Sequence, residues 1–122
     1  MKTCRECGDL LEVGENWSRG FQKARQYICN VCSTLTKKKK RHQGKLDAIE
    51  YLGGECRDCG KDNYHPSIYE FHHLDPRTKT ANPSQYLEAF SRDKLFKELD
   101  KCVLLCANCH RLRHYEEKER LV

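Results

Sequence analysis

Two histidines stand side by side in the stretch YEFHHLDP, as His72 and His73, and two more, His110 and His114, lie four residues apart in CANCHRLRHYEE. Near neutral pH an imidazole can hold a metal ion or move a proton. On a strand, successive side chains leave on opposite faces, so His72 and His73 are poorly placed to grip one ion together. They could instead divide a task, one holding a metal and the other handling a proton, and the rest of the sequence decides whether that is so. On a helix, His110 and His114 share one face.

The cysteines carry a second kind of chemistry. Eight of the nine form four C-x-x-C pairs: Cys4 with Cys7, Cys29 with Cys32, Cys56 with Cys59 and Cys106 with Cys109. No apolar stretch long enough for a signal peptide core or a membrane span occurs, so the chain is expected in a reducing compartment, the cytoplasm, without a membrane partner. There, paired thiols read as zinc ligands and not as disulfides. Two structural Zn2+ sites follow, one on Cys4, Cys7, Cys29 and Cys32, the other on Cys56, Cys59, Cys106 and Cys109. No βαβ pattern surrounds any pair, which argues against a thioredoxin-like role. Cys102, the remaining thiol, suits a small apolar place in a strand.

Such a scaffold is needed. With 122 residues, 34% of them charged, and a mean hydropathy of −0.89, the chain can bury only a thin apolar core. Charge is unevenly spread: from Asn16 to Leu46 there are nine Lys or Arg and no Asp or Glu, a formal +9, while the rest of the chain carries −4. Attraction for an anionic partner therefore comes from a patch and not from the overall charge.

The elements that must position these groups can be read in outline. Residues 1–33, with their two knuckles and interspersed glycines, suit a zinc ribbon built on a hairpin. From Ser33 to the Gly53-Gly54 stop the pattern suits a helix, which Gly44 could break. The second module opens with the CRDC knuckle, continues as a short strand over SIYEFHHL ended by Asp75-Pro76, and passes through a turn-rich stretch. SQYLEAF and SRDKLFKEL have helical apolar spacing, CVLLC reads as a buried strand, and the tail from Ala107 as a helix. The expected fold is a small zinc-stabilised α+β protein of two modules, residues 1–45 and 46–122.

The order strand with HH, connection, strand, C-x-x-C-H, helix resembles the HNH endonucleases, whose ββα-metal site sets two strands and a helix around one divalent ion. The resemblance spans roughly Gly54 to Tyr115 and is carried by EFHHLDP, KCVLLCANCHRLRH and the flanking CRDC knuckle. It implies that His72 and His110 are ligands of a catalytic divalent metal, with His114 a third, and that His73 is the general base for hydrolysis of DNA phosphodiester bonds. The ion implied is Mg2+, with Mn2+, Ni2+ or Zn2+ as alternatives that histidine ligands also suit. One position departs from the pattern: nine residues before His110, where the family's central Asn lies, this chain has Lys101. A lysine has no acceptor, so Lys101 either braces the catalytic loop by donation alone or lies near the scissile phosphate. The resemblance further implies DNA as partner, and a homodimer or a place in a larger assembly of a phage or mobile element.

Arg19, Lys23, Arg25, Lys37, Lys38, Lys39, Lys40 and Arg41 form the basic tract and are the candidate DNA-backbone contacts, with Trp17, Phe21 and Tyr27 interleaved among them. Phosphate contacts position a protein without conferring sequence specificity. His42 and His65 read as surface residues. Two rivals stay open beside a nuclease: a non-catalytic nucleic-acid-binding zinc protein, and an adaptor within a larger nuclease or packaging assembly.

Overall fold

The computed structural model describes residues 1–88 and 91–120 and divides the chain into two compact units, Met1–Lys40 and Arg41–Val122. Among the described residues it is a small α+β protein with a two-stranded sheet and two four-cysteine clusters.

In the first unit the expected hairpin shrinks to isolated bridges, Thr3 with Leu10 and Val13 with Trp17. The chain between the bridged residues is spent on the knuckle turn. There the amide of Gly8 returns to the Cys4 carbonyl at 2.9 Å and the amide of Cys4 to the Asp9 carbonyl at 2.7 Å. A five-residue helix, α1 (Arg19–Lys23), starts at Ser18, whose hydroxyl accepts the Phe21 amide at 3.0 Å, an ordinary N-cap. Trp17 and Ile28 are buried with Cys4, Leu11 and Cys29, and Phe21 and Tyr27 pack against them. The Trp17 indole donates to the Gln26 carbonyl at 2.8 Å. The aromatics interleaved with the basic residues therefore build this unit's core. They do not form an exposed stacking platform.

Helix α2 (Asn30–Tyr51) begins three residues before the expected start and runs unbroken through Gly44. Gly44 is buried, and a Cβ built there would lie 2.0 Å from the Leu87 carbonyl oxygen. The glycine is thus a place where another backbone comes close, not a helix breaker. The stop is where the sequence puts it: Gly53 has φ +100°, and the Gly54 amide reaches back to the Ile49 carbonyl at 2.9 Å.

Strand β1 (Tyr69–His73) pairs antiparallel with β2 (Cys102–Cys106), with Tyr69 opposite Cys106, His72 opposite Val103 and His73 opposite Cys102. Between them lie 3-10 turns at Pro76–Thr78 and Pro83–Tyr86 and helix α3 (Asp93–Leu99). The helix expected over SQYLEAF is a single 3-10 turn where it is described; Ala89 and Phe90 fall outside the described residues. All five residues of β2 are buried, as a continuous apolar run in a small sheet should be. The core of this unit comes as two small clusters: Cys56, Tyr69 and Val103–Cys106 in one, and Ala48, Leu87, Leu95 and Leu99 in the other. Helix α4 (Ala107–Arg120) follows β2 with no intervening loop, so its first turns are set by the strand that precedes them.

Candidate metal centres and catalytic cluster

The two thiol clusters repeat one local design. In each, a first C-x-x-C pair lies on a tight turn and a second lies at the start of a helix: Cys29 and Cys32 lead into α2, Cys106 and Cys109 into α4. Backbone amides point at the sulfurs: Cys29 N–H at Cys4 Sγ (3.3 Å), Cys32 at Cys29 Sγ (3.4 Å), Cys106 at Cys56 Sγ (3.3 Å) and Cys109 at Cys106 Sγ (3.4 Å). Within each cluster every sulfur lies within 4.8 Å of the others, and Cys7 and Cys29 Sγ are 3.9 Å apart. Tetrahedral zinc with Zn–S bonds near 2.3 Å requires a sulfur separation of about 3.8 Å. The thiols' acidities point the same way. Amides of Cys29 and Cys7 draw Cys4 down to about 6. Burial works to raise Cys56, but amides of Cys59, Cys106 and Asp58 outweigh it and bring it also to about 6. Cys32 is pushed up to about 12, first by its bond to Cys29 and then by burial, and Cys109 is raised mainly by burial. Four thiolates cannot ionise together unless a cation sits among them, and both clusters could hold Zn2+.

The four histidines sort themselves by face. On one side of β1, His72 meets α4, and a ring nitrogen from each of His72, His110 and His114 falls within 4.8 Å of the others. The Nε2 atoms of His110 and His114 are 3.0 Å apart, close to the roughly 3.3 Å between two imidazole ligands of a tetrahedral zinc. Glu70 and His72, two apart on the strand, share a face. The Glu70 carboxylate bonds to His110 Nδ1, which leaves Nε2 as the lone pair facing the cluster. A carboxylate behind a histidine in this way fixes ring orientation in metal sites. His72 is 6% exposed, and burial, then the neighbouring His110, holds its pKa below the ordinary imidazole value. That favours the neutral ring, the form a metal ligand would need. Glu117, one turn beyond His114 on α4, places Oε1 3.6 Å from His72 Nε2 and Oε2 3.8 Å from His114 Nδ1.

On the other side of the strand, His73 turns towards α3, where its Nε2 lies 2.8 Å from Oε1 of the buried Glu98. Lys101 reaches Glu98 Oε2 and Thr80 Oγ1, each at 2.9 Å. It donates there to one hydroxyl and one carboxylate. His72, His73, His110 and His114 together line a cavity of about 240 Å³, and Lys79, Asn82 and Glu117 line it as well. The structure thus assembles the four candidate histidines, whereas Lys101 is one step behind them.

The remaining candidates lie elsewhere. Arg19, Lys23, Arg25 and Lys37 to Arg41 are exposed. So are His42 and His65, and His65 Nδ1 caps the turn at Pro66–Ile68 by accepting the Ser67 amide. Cys102 is buried in β2, and burial pushes its thiol up to about 11. Arg113 forms a two-pronged ion pair with Asp58 at 2.6 and 2.7 Å and so ties α4 to the second knuckle. Among the described residues no helix is long and apolar enough to cross a membrane. No protein-family model, curated protein or solved structure matches the chain.

Proposed function

We infer that the protein is a metal-dependent endonuclease of the HNH type that hydrolyses DNA phosphodiester bonds, with β1, β2 and α4 as its ββα-metal element and the first unit as a zinc-ribbon-like DNA-gripping module. What carries the reading is the sorting of two adjacent histidines: His72 goes to a three-imidazole cluster, His73 to a buried carboxylate, and both open on one cavity. Hydrolysis needs that division. His73 takes a proton from the attacking water, and the cavity admits a phosphate beside it. His72, His110 and His114 would hold the ion, with Glu70 fixing the angle of His110. When bound, a divalent ion stabilises charge on the phosphoryl and leaving oxygens.

The donor set also bears on the metal. Magnesium, which the sequence alone puts first, prefers oxygen ligands in octahedral array. Three neutral imidazoles suit Mn2+, Ni2+ or Zn2+ better. The exposed cations of the basic tract supply backbone attraction, and the two thiol clusters, filled with zinc, hold each unit together.

The test is supercoiled plasmid incubated with the zinc-loaded protein and a series of divalent ions, alongside His73→Ala. Nicked or linear product that needs an added ion and vanishes in the variant is the expected result. Intact plasmid with every ion, together with tight DNA retention on a gel, would favour the non-catalytic binding module or adaptor.

A further inference from the structure

Glu98 is a buried carboxylate where the sequence shows only one more charged residue on a short helix. It is 3% exposed, and its partners come from separate parts of the chain. Oε1 faces His73 Nε2 at 2.8 Å, the Thr80 amide at 3.0 Å and the Ala81 amide at 3.4 Å, while Oε2 faces Lys101 Nζ at 2.9 Å. Two of these partners are backbone N–H groups and one is an ammonium, all of which can only donate. Burial by itself would raise the acid, but donation from His73, Lys101 and the amides of Thr80 and Ala81 outweighs it and draws the carboxyl down to about 2. Glu98 is therefore an ionised acceptor with no proton to give, and the hydrogen between it and His73 must belong to the histidine.

We propose that Glu98 is the positioning residue of His73: it holds the ring by its Nε2–H and so makes Nδ1 the nitrogen that accepts the proton of the attacking water. The proposal rests on the reading of His73 as a general base. It gives Lys101 a task as well, since the ammonium keeps Glu98 charged and, through Thr80, ties the segment that carries Lys79 and Asn82 to the same carboxylate. The Leu74 amide bonds the Lys101 carbonyl at 3.1 Å, which extends the β1–β2 pairing by one step and sets His73 and Lys101 in register around Glu98. In the chemical step water loses a proton to Nδ1 as its oxygen bonds to phosphorus, and the P–O bond to the leaving sugar oxygen breaks, its electron pair staying on that oxygen, which takes a proton from solvent water. His73 becomes an imidazolium whose second N–H is already bonded to a carboxylate. The wrong tautomer would present an N–H to the water and could take nothing from it.

The experiment uses the full-length zinc-loaded protein with 15N-labelled histidine. Long-range 1H–15N correlation at about pH 8, above the usual imidazole range, reports which ring nitrogen bears hydrogen. His73 is assigned by the signal that disappears in His73→Ala. The expected spectrum has hydrogen on Nε2 and a bare Nδ1; hydrogen on Nδ1, or on both nitrogens, overturns the proposal whatever any variant does. In Glu98→Gln the single tautomer should give way to a mixture and kcat should fall by about 10²-fold or more, with KM and Mn2+ affinity within a few-fold of wild type. Glu98→Asp should recover part of that loss. An unchanged kcat in Glu98→Gln also overturns it, because a merely structural carboxylate would lower stability and leave turnover alone. Should wild-type protein cut no DNA with any ion, the nuclease reading fails by itself, and the tautomer still decides whether Glu98 holds Nε2–H.

Discussion

At the scale of single residues, adjacency on a strand separates His72 from His73 more sharply than any difference in their chemistry. The two should therefore fail differently. His72→Ala should weaken Mn2+ binding at the cluster, so that part of its activity returns when more metal is added. His73→Ala should leave Mn2+ affinity near wild type while the rate drops by on the order of 10² to 10⁴. Calorimetric titration separates them; equal losses of affinity would make both residues ligands. Metal binding should also depend on pH with a definite sign. Ligand imidazoles must be neutral, so affinity falls on acidification. The pKa of His72 lies below its ordinary 6.5, so its proton competes only at more acidic pH than an exposed histidine's would. Replacing it should steepen no part of the affinity curve above that value, as titrations at stepped pH would show. The carboxylates were unequally readable. Glu70 stands two residues before His72 on one strand, and Glu117 three after His114 on one helix, so both share a face with a candidate ligand by simple periodicity. Glu98 had no such signal, because a glutamate within KLFKEL looks like solvent-facing charge until the fold places His73, Lys101 and two amides around it.

At the scale of elements, α2 shows how one position can reverse an ordinary rule. Replacing a helix-interior glycine by alanine usually gains up to about 1 kcal/mol. At Gly44 the new methyl would meet the Leu87 backbone at 2.0 Å, and backbone cannot turn aside as a long side chain can. Gly44→Ala should thus be destabilised by about 1–3 kcal/mol, the range for overpacking, and a denaturant midpoint at or above wild type would refute this. The four lysines just before it behave in the opposite way. Lys37, Lys38, Lys39 and Lys40 are exposed, so changing all four to Gln should leave the thermal midpoint nearly unchanged. DNA affinity should drop, and its salt dependence should flatten by about 0.9 in slope for each phosphate that the protein no longer neutralises. An unaltered slope would mean that the tract does not touch the backbone. Elements of strong local character were legible: the end of α2 at its glycine pair, CVLLC as a buried strand and the tail as a helix. The N-terminal hairpin was not, because the turn at the first knuckle takes up the chain between Cys4 and Asp9, and the helix over SQYLEAF was not, because the approach of Leu87 to Gly44 arises between residues distant in sequence.

At the scale of the whole molecule, apolar burial among the described residues is divided among three small clusters, two of which include the cysteines themselves. Protein purified without chelator should carry about two zinc ions per chain, each in a four-sulfur shell with Zn–S near 2.3 Å by X-ray absorption. Stripping the zinc should collapse the far-ultraviolet circular dichroism, since clusters of this size do not outweigh chain entropy unaided. A folded chain free of zinc would end the reading of these thiols as structural ligands. The C-x-x-C spacing made this level the most legible of all, because a knuckle's chemistry is written in four consecutive residues. It has one consequence for how the molecule ages. Cys109 and His110 are neighbours in the first turn of α4, so sulfur chemistry and imidazole geometry share a single piece of backbone. A mild oxidant that takes the Cys106–Cys109 thiols out of their cluster would tilt that turn and pull His110 and His114 away from His72 without altering a histidine. On the nuclease reading, air would thus act as an inhibitor at a distance, and a reductant given together with zinc would be its antidote.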